Sequence, residues 1–191
     1  MYVTLAQDDK IISSEIVTNK DNKYHSAFLI STIKKILKQN NLTPKDINAI
    51  GTDIGPGSFT GIRACVTVAR VVAQQLNIPA VGISSLEILS NVSDKNLAVA
   101  LDARKNSAYF LYNKEIKGAV ELEKVEEILK SNNFELITDD KLQKRLGGIS
   151  YQQNNFALGD ILAKLTYEKL QQSEYKWQEL KPMYIQPPPM G

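Results

Sequence analysis

The sequence predicts an α/β protein of two successive lobes whose sheets are at least partly parallel. Two observations carry that reading. Residues 49–54 and 80–83 are apolar, strand-like runs joined by a glycine-rich turn and a long helical segment, a βαβ unit whose strands run parallel. Each half of the chain also opens with a hairpin, at Tyr2 and again at Leu97, and continues with helix and strand units. The chain has 191 residues, 43% hydrophobic and 23% charged, which suits one or two small globular domains.

In order, residues 2–6 and 11–17 are strands around the polar turn Gln7-Asp8-Asp9-Lys10. From Ser26 the period becomes helical, with Ile30, Ile33, Ile36 and Leu37 as the stripe and Phe28 and Leu29 beside it; Asn40-Asn41 ends it. Thr43-Pro44 opens a short turn, with proline at the first helical position. After the strand at 49–54 comes Gly55-Pro56-Gly57-Ser58-Phe59-Thr60-Gly61, then a helix to about Leu76, stopped by Asn77-Ile78-Pro79. Ser84 or Ser85 caps the next helix. The pattern restarts with strands at 97–101 and 108–112 around a turn at 102–107. A charged helix at 121–130, a strand at 134–138 and helices at 140–146 and 156–171 follow. The boundary falls near 93–96, giving lobes 1–93 and 94–191, with an extended tail at Pro187-Pro188-Pro189.

Several chemistries drop out on residue counts. Cys65 is the only cysteine and His25 the only histidine, so an internal disulfide or a Cys/His zinc cluster cannot form. A Ser/His/Asp hydrolase would need His25, and no nucleophile-elbow sequence accompanies it. No run approaches the roughly 18 apolar residues of a membrane span, and the first residues do not resemble a secretion signal; a cytoplasmic protein is expected. The formal charge of +2 predicts no nucleic-acid binding by itself. Asp102 and Arg104 read as a turn with a surface ion pair, Asp139-Asp140 as a helix cap, and Cys65 as a small core residue.

Gly55 to Arg63 is the segment most open to chemistry. It lies between a strand and a helix, where backbone N–H groups and the helix dipole converge. Glycines admit φ > 0 and close approach, Pro56 stiffens the turn, and Ser58 and Thr60 offer hydroxyls. The spacing matches neither a Walker loop nor the dinucleotide fingerprint. A phosphate cradle and a plain strand-to-helix corner both remain open. The following helix is apolar nearly all round. Ile62, Cys65, Val66, Ala69, Val72, Ala73 and Leu76 line one face, while Ala64, Val68 and Val71 line a second. Either it is buried within a two-layer monomer, or a partner packs helix against helix.

The run Gly55-Pro56-Gly57-Ser58-Phe59-Thr60-Gly61-Ile62-Arg63, followed by Val81-Gly82-Ile83-Ser84-Ser85-Leu86, resembles the bacterial TsaB (YeaZ) family. His25-Ser26, Asp102-Ala103-Arg104 with Tyr109, and Leu180-Lys181-Pro182-Met183-Tyr184-Ile185 add to the likeness, which is clear over 1–112 and loose beyond. The resemblance implies an actin/Hsp70/sugar-kinase-like fold of two lobes on mixed five-stranded-type sheets. It implies a role in placing threonylcarbamoyl on the adenosine 3′ of the anticodon (t6A). In that role the chain would be a non-catalytic scaffold paired with the paralogue TsaD, with the ATPase TsaE docking on the pair, a homodimer when free, and tRNA reached through the complex. No cofactor is expected on the chain alone, although ATP or ADP could sit at the complex interface. The partner surface so implied comprises His25, Phe28, Leu29, Thr32, Ile36, Ala64, Cys65, Val68, Val71 and Val72, with Gly55–Arg63 shaping the adjoining loop. TsaD-like proteins carry a His-x-x-x-His metal pair on the first helix, whereas His25 is followed by Leu29, so no metal is expected. Family members usually begin with one more strand, ending in Asp-Thr-Ser. Met1–Leu5 matches their second strand, which implies a start further upstream and a first lobe without its leading strand. The alternative function is a stand-alone nucleotide-dependent transferase of the actin/sugar-kinase class.

Overall fold

A computed structural model describes residues 1–17 and 28–185. Its elements are β1 (Tyr2–Gln7), β2 (Lys10–Ile16), α1 (Leu29–Gln39), β3 (Ile50–Gly55), α2 (Phe59–Leu76), β4 (Ala80–Ser84), α3 (Ser85–Leu89), β5 (Leu97–Asp102), β6 (Ser107–Tyr112), β7 (Glu115–Glu121), α4 (Leu122–Ser131), β8 (Glu135–Thr138), α5 (Asp140–Leu146), β9 (Ile149–Ser150) and α6 (Leu158–Gln172). The expected tail at Pro187–Pro189 and His25 lie outside the described residues.

The contacts divide the chain into two compact units, but not at one cut near 93. Unit 1 holds Met1–Ile54, Ser58–Ile83 and Leu158–Pro182; unit 2 holds Gly55–Gly57, Ser84–Ala157 and Met183–Gly191. The expected second lobe of 94–191 therefore loses α6, and the physical reason is visible on that helix. Gly159 lets its backbone approach β1 and β2 so closely that an added Cβ would stand 3.1 Å from Tyr2 Cβ and collide with the Thr4 hydroxyl.

Unit 2 is built on a mixed sheet in the order β7-β6-β5-β8-β9. β5 pairs antiparallel with β6 (Val99↔Leu111, Leu101↔Tyr109) and parallel with β8 (Leu97↔Glu135, Val99↔Ile137). Its run Leu97-Ala98-Val99-Ala100-Leu101 is buried throughout, as a central strand covered on both faces must be. Ala98, Ala100, Ala108, Phe110 and Leu136 form one cluster with Leu122 and Val125 of α4 and Leu142 of α5. Tyr112 and Phe134 extend it through tilted ring contacts, the centroids 5.8 Å apart.

In unit 1 the hairpin β1-β2 and the pair β3-β4 are separate two-stranded ladders. Val3 and Leu5 pack against Ile33, Ile36 and Leu37 of α1. Ile50, Ile54 and Ala80 pack with Val66, Ala69 and Ala73 of α2 and with Leu180. The side chain of Ser58 caps α2, and Asn77, left-handed at φ 54°, closes it after Leu76, where the sequence placed its end. Among the described residues no helix is long and apolar enough to cross a membrane.

Candidate functional site

Gly55 ends β3 at φ 97°, a conformation that favours glycine, and its peptide bond to Pro56 is cis. Beyond it Gly57, Ser58, Phe59 and Thr60 are exposed. The Ser58 hydroxyl accepts a hydrogen bond from the Gly61 amide at 3.4 Å. The Arg63 guanidinium lies over the Phe59 ring, 5.2 Å from its centroid. The loop thus directs its serine to capping and its arginine to an aromatic face. That is the work of a strand-to-helix corner.

The second candidate is the apolar surface of the two long helices. On α2 the buried arc is Val66, Ala69 and Ala73, directed at β3 and β4. Ala64, Val68 and Val71, spaced i, i+4, i+7, fall within about 60° of arc on another side. Ala64, Cys65, Val68 and Val72 are half-buried, and Val71 is 51% exposed. At the start of α1 the large exposed side chains are its N-cap Phe28 (40%) and Ile30 (54%). Leu29, Thr32 and Ile36, expected at a partner surface, are buried against their own lobe. Stepping by 100° from Leu29 brings Ile33, Ile36 and Leu37 onto the side facing the hairpin, while Ile30 swings to its edge. Thr32 in addition donates its hydroxyl to the Phe28 carbonyl at 2.8 Å. Burial first, then the Asp53 carboxylate, push the Cys65 thiol up, with the Met1 amino group opposing them, which disfavours the thiolate.

A network in unit 2 carries no signal in the sequence. Arg145 bridges Glu126 (2.7 Å), Glu123 (3.0 Å) and the Asn106 side-chain oxygen (2.5 Å). Asn106 also donates to both Glu123 oxygens. The Asn106 bonds foremost, with the Glu123 backbone and Arg145, lower the Glu123 carboxyl to about 2. Asp102 pairs with Lys141 at 2.5 Å, not with Arg104 as the turn suggested. Arg104, Lys105 and Asn106 all adopt left-handed backbone conformations (φ 63°, 47° and 57°), and from Arg104 the Asp102 carboxylate accepts the backbone amide. Asp139 caps α5 as expected, accepting from the Lys141 and Leu142 amides. A cavity of about 240 Å³ opens beside these groups, lined by Asp102, Arg104, Lys105, Asn106, Lys141 and Arg145 among others. Among the described residues no group of three or more His, Cys, Asp or Glu side chains is placed to hold a metal ion.

Residues 10–176 match the family model described as TsaD, tRNA N6-adenosine threonylcarbamoyltransferase. The chain belongs to the TsaD family. It is 34% identical over 130 residues to the tRNA threonylcarbamoyladenosine biosynthesis protein TsaB of Buchnera aphidicola subsp. Schizaphis graminum, covering 64% of this chain and 59% of that protein. Against the TsaB of Bacillus subtilis the identity is 33% over 110 residues, covering 56% of this chain and 47% of the relative. The alignments thus span about half the length of these TsaB relatives. A Pseudomonas aeruginosa crystal structure, described as an uncharacterized protein with similarity to peptidase YEAZ, shares the fold. Its TM-score is 0.72 at 18% identity, with 97% of this chain and 94% of that one covered. The TsaD-family assignment and this likeness agree with the expected actin/sugar-kinase-like architecture.

Proposed function

We propose that this chain serves t6A biosynthesis as a non-catalytic subunit, engaging a TsaD-type paralogue through the outward arc of α2. The observation that carries the reading is the apolar run Ala64, Val68 and Val71, with Val71 half exposed on a long helix. Phe28 and Ile30 of α1 offer further exposed apolar area in the same unit. The names of the TsaB relatives supply the pathway. On this reading a TsaE-type ATPase docks on the pair and ATP or ADP is held at the complex interface. The tRNA is reached through the complex, and two copies of the free chain use the same surface. The single histidine of the sequence supports a non-catalytic role, since a paired-histidine metal site cannot be assembled from it.

Val71→Glu tests the interface. A carboxylate buried against an apolar partner surface without compensation is costly. The variant is expected to weaken binding to the cognate TsaD-type paralogue at least tenfold in calorimetric titration. Its melting temperature should stay within about 2 °C, because an exposed side chain contributes little to stability. Unchanged affinity would remove α2 from the interface.

A further inference from the structure

The two long helices α1 and α2 of unit 1 carry charge of one sign only. α1 holds Lys34, Lys35 and Lys38, α2 holds Arg63 and Arg70, and neither contains an aspartate or a glutamate. Every other α-helix among the described residues has at least one acid: Glu87 in α3, Glu123 in α4, Asp140 in α5 and Asp160 in α6. The chain as a whole is nearly balanced, with 23 Lys and Arg against 21 Asp and Glu. The imbalance is therefore local to the two helices that bear the outward apolar side chains.

The cations stand beside those side chains. At about 100° per residue, Lys34 and Lys38 fall about 40° apart on α1, opposite Leu29 and Ile36, and Lys34 lies about 40° from Ile30. Lys34, Lys38 and Ile30 are exposed, while Leu29 and Ile36 are buried. On α2, Arg63 and Arg70 are two turns apart, about 10.5 Å along the axis, and within about 20° of each other. They flank the arc of Ala64, Val68 and Val71, about 80–100° round the helix from Val71. Arg63 is exposed and Arg70 half-buried.

Most of this charge is uncompensated. Lys35 pairs with Glu15 at 2.8 Å. Among the described residues Lys34, Lys38, Arg63 and Arg70 make no ion pair. Such a surface discriminates between partners. A second copy brings the same patch in a twofold arrangement, and with it the same sign of charge. Like charges set against each other oppose association, whereas opposite charges steer and favour it.

We propose that the cations of α1 and α2 select an acidic partner surface: the TsaD-type paralogue meets these helices with aspartate and glutamate side chains set around its own apolar contact, and a second copy of this chain is held more weakly because its lysines and arginines repel. Surface and partner are those of the proposed function, on which this rests; the sign of the partner's charge, and the preference over self-association, are what the two helices add. The apolar arc supplies contact area to either partner, so the choice between them falls to the charged rim.

The test uses the full chain and two double variants, Lys34→Glu with Lys38→Glu and Lys34→Gln with Lys38→Gln. Both positions are exposed, so the fold tolerates either change. Calorimetric titration with the cognate paralogue is run at about 50 and about 500 mM NaCl, the higher salt screening exposed charges. Wild-type binding is expected to weaken at least fivefold at the higher salt. At the lower salt the Glu variant should bind at least tenfold more weakly than wild type, with the Gln variant between them, and these gaps should narrow as salt rises. Sedimentation reads the copies against each other: wild-type self-association should tighten with salt, and at low salt wild type should pair more tightly with the Glu variant than with itself. Paralogue affinity indifferent to salt and to both substitutions, or wild-type self-association as tight as the mixed pair, would overturn the charge selection while leaving the interface in place. No binding of the paralogue at either salt concentration would remove the proposed function and the acidic partner together.

Discussion

Phe110→Ala is expected to destabilise the protein by about 3–5 kcal/mol, the range for removing a buried aromatic ring without collapse of the cavity. Phe110 is fully buried on β6, within the cluster that ties β5, β6 and β8 to α4 and α5. Its ring also lies 5.2 Å from that of Tyr112, so truncation loosens a second aromatic contact. Neighbours such as Ala98, Ala100 and Ala108 are too short to fill the void. Urea unfolding followed by tryptophan-independent circular dichroism reads the shift in midpoint. Phe110→Leu, which keeps most of the volume, should recover more than half of the loss.

Gly148→Val is expected to cost about 2–5 kcal/mol by two separate routes. Gly148 sits at φ 83°, where an L side chain is disfavoured by about 1–2 kcal/mol. A Cβ there would also stand 2.6 Å from the Leu136 carbonyl oxygen and 2.9 Å from its Cβ, an overpacking worth about 1–3 kcal/mol. Because β9 pairs with β8 only at Ile137↔Ile149 and Thr138↔Ser150, displacing the turn should release that edge strand first. Gly147→Ala is the internal control. Gly147 also has a positive φ, 73°, but a Cβ there meets nothing within 4 Å, so only the conformational cost applies. Thermal unfolding of the two variants separates strain from collision.

The strands and helices were legible where one local pattern decides them. The buried run at 97–101 and the capping Ser58 and Asp139 act within a few residues, and they stand where their chemistry put them. Which face a helix buries was harder, because α1 carries apolar residues over more than one stripe. Phe28 and Ile30 differ from Leu29 and Ile36 only by what the hairpin covers. The return of α6 to the first unit was hidden for a related reason. Its contact with β1 depends on Gly159 meeting residues more than 150 positions earlier, and nothing local records that.

Of the candidate site, the glycine-rich loop was visible from its spacing, but its orientation was not. Whether Ser58 turns inward to cap or outward to a ligand is a matter of its own conformation at the helix start, φ −57° and ψ 111°, where its hydroxyl meets the Gly61 amide. The Arg145 network had no sequence signal at all. Asn106, Glu123, Glu126 and Arg145 are ordinary surface residue types that meet only once the β5-β6 turn, α4 and α5 have come together. Asp102 illustrates the same limit, since a lysine far along the chain outcompetes the arginine two residues away.

The central claim is that this chain is a required but non-catalytic member of a t6A-forming complex. Its most direct test is a reconstitution with the cognate TsaD-type and TsaE-type proteins, ATP, a threonylcarbamoyl donor and unmodified tRNA, with the modified nucleoside measured by mass spectrometry. Adding this chain should raise t6A formation at least tenfold, and the chain without its TsaD-type partner should form none. Equal t6A with and without the chain, or t6A formed by the chain alone, would contradict the account.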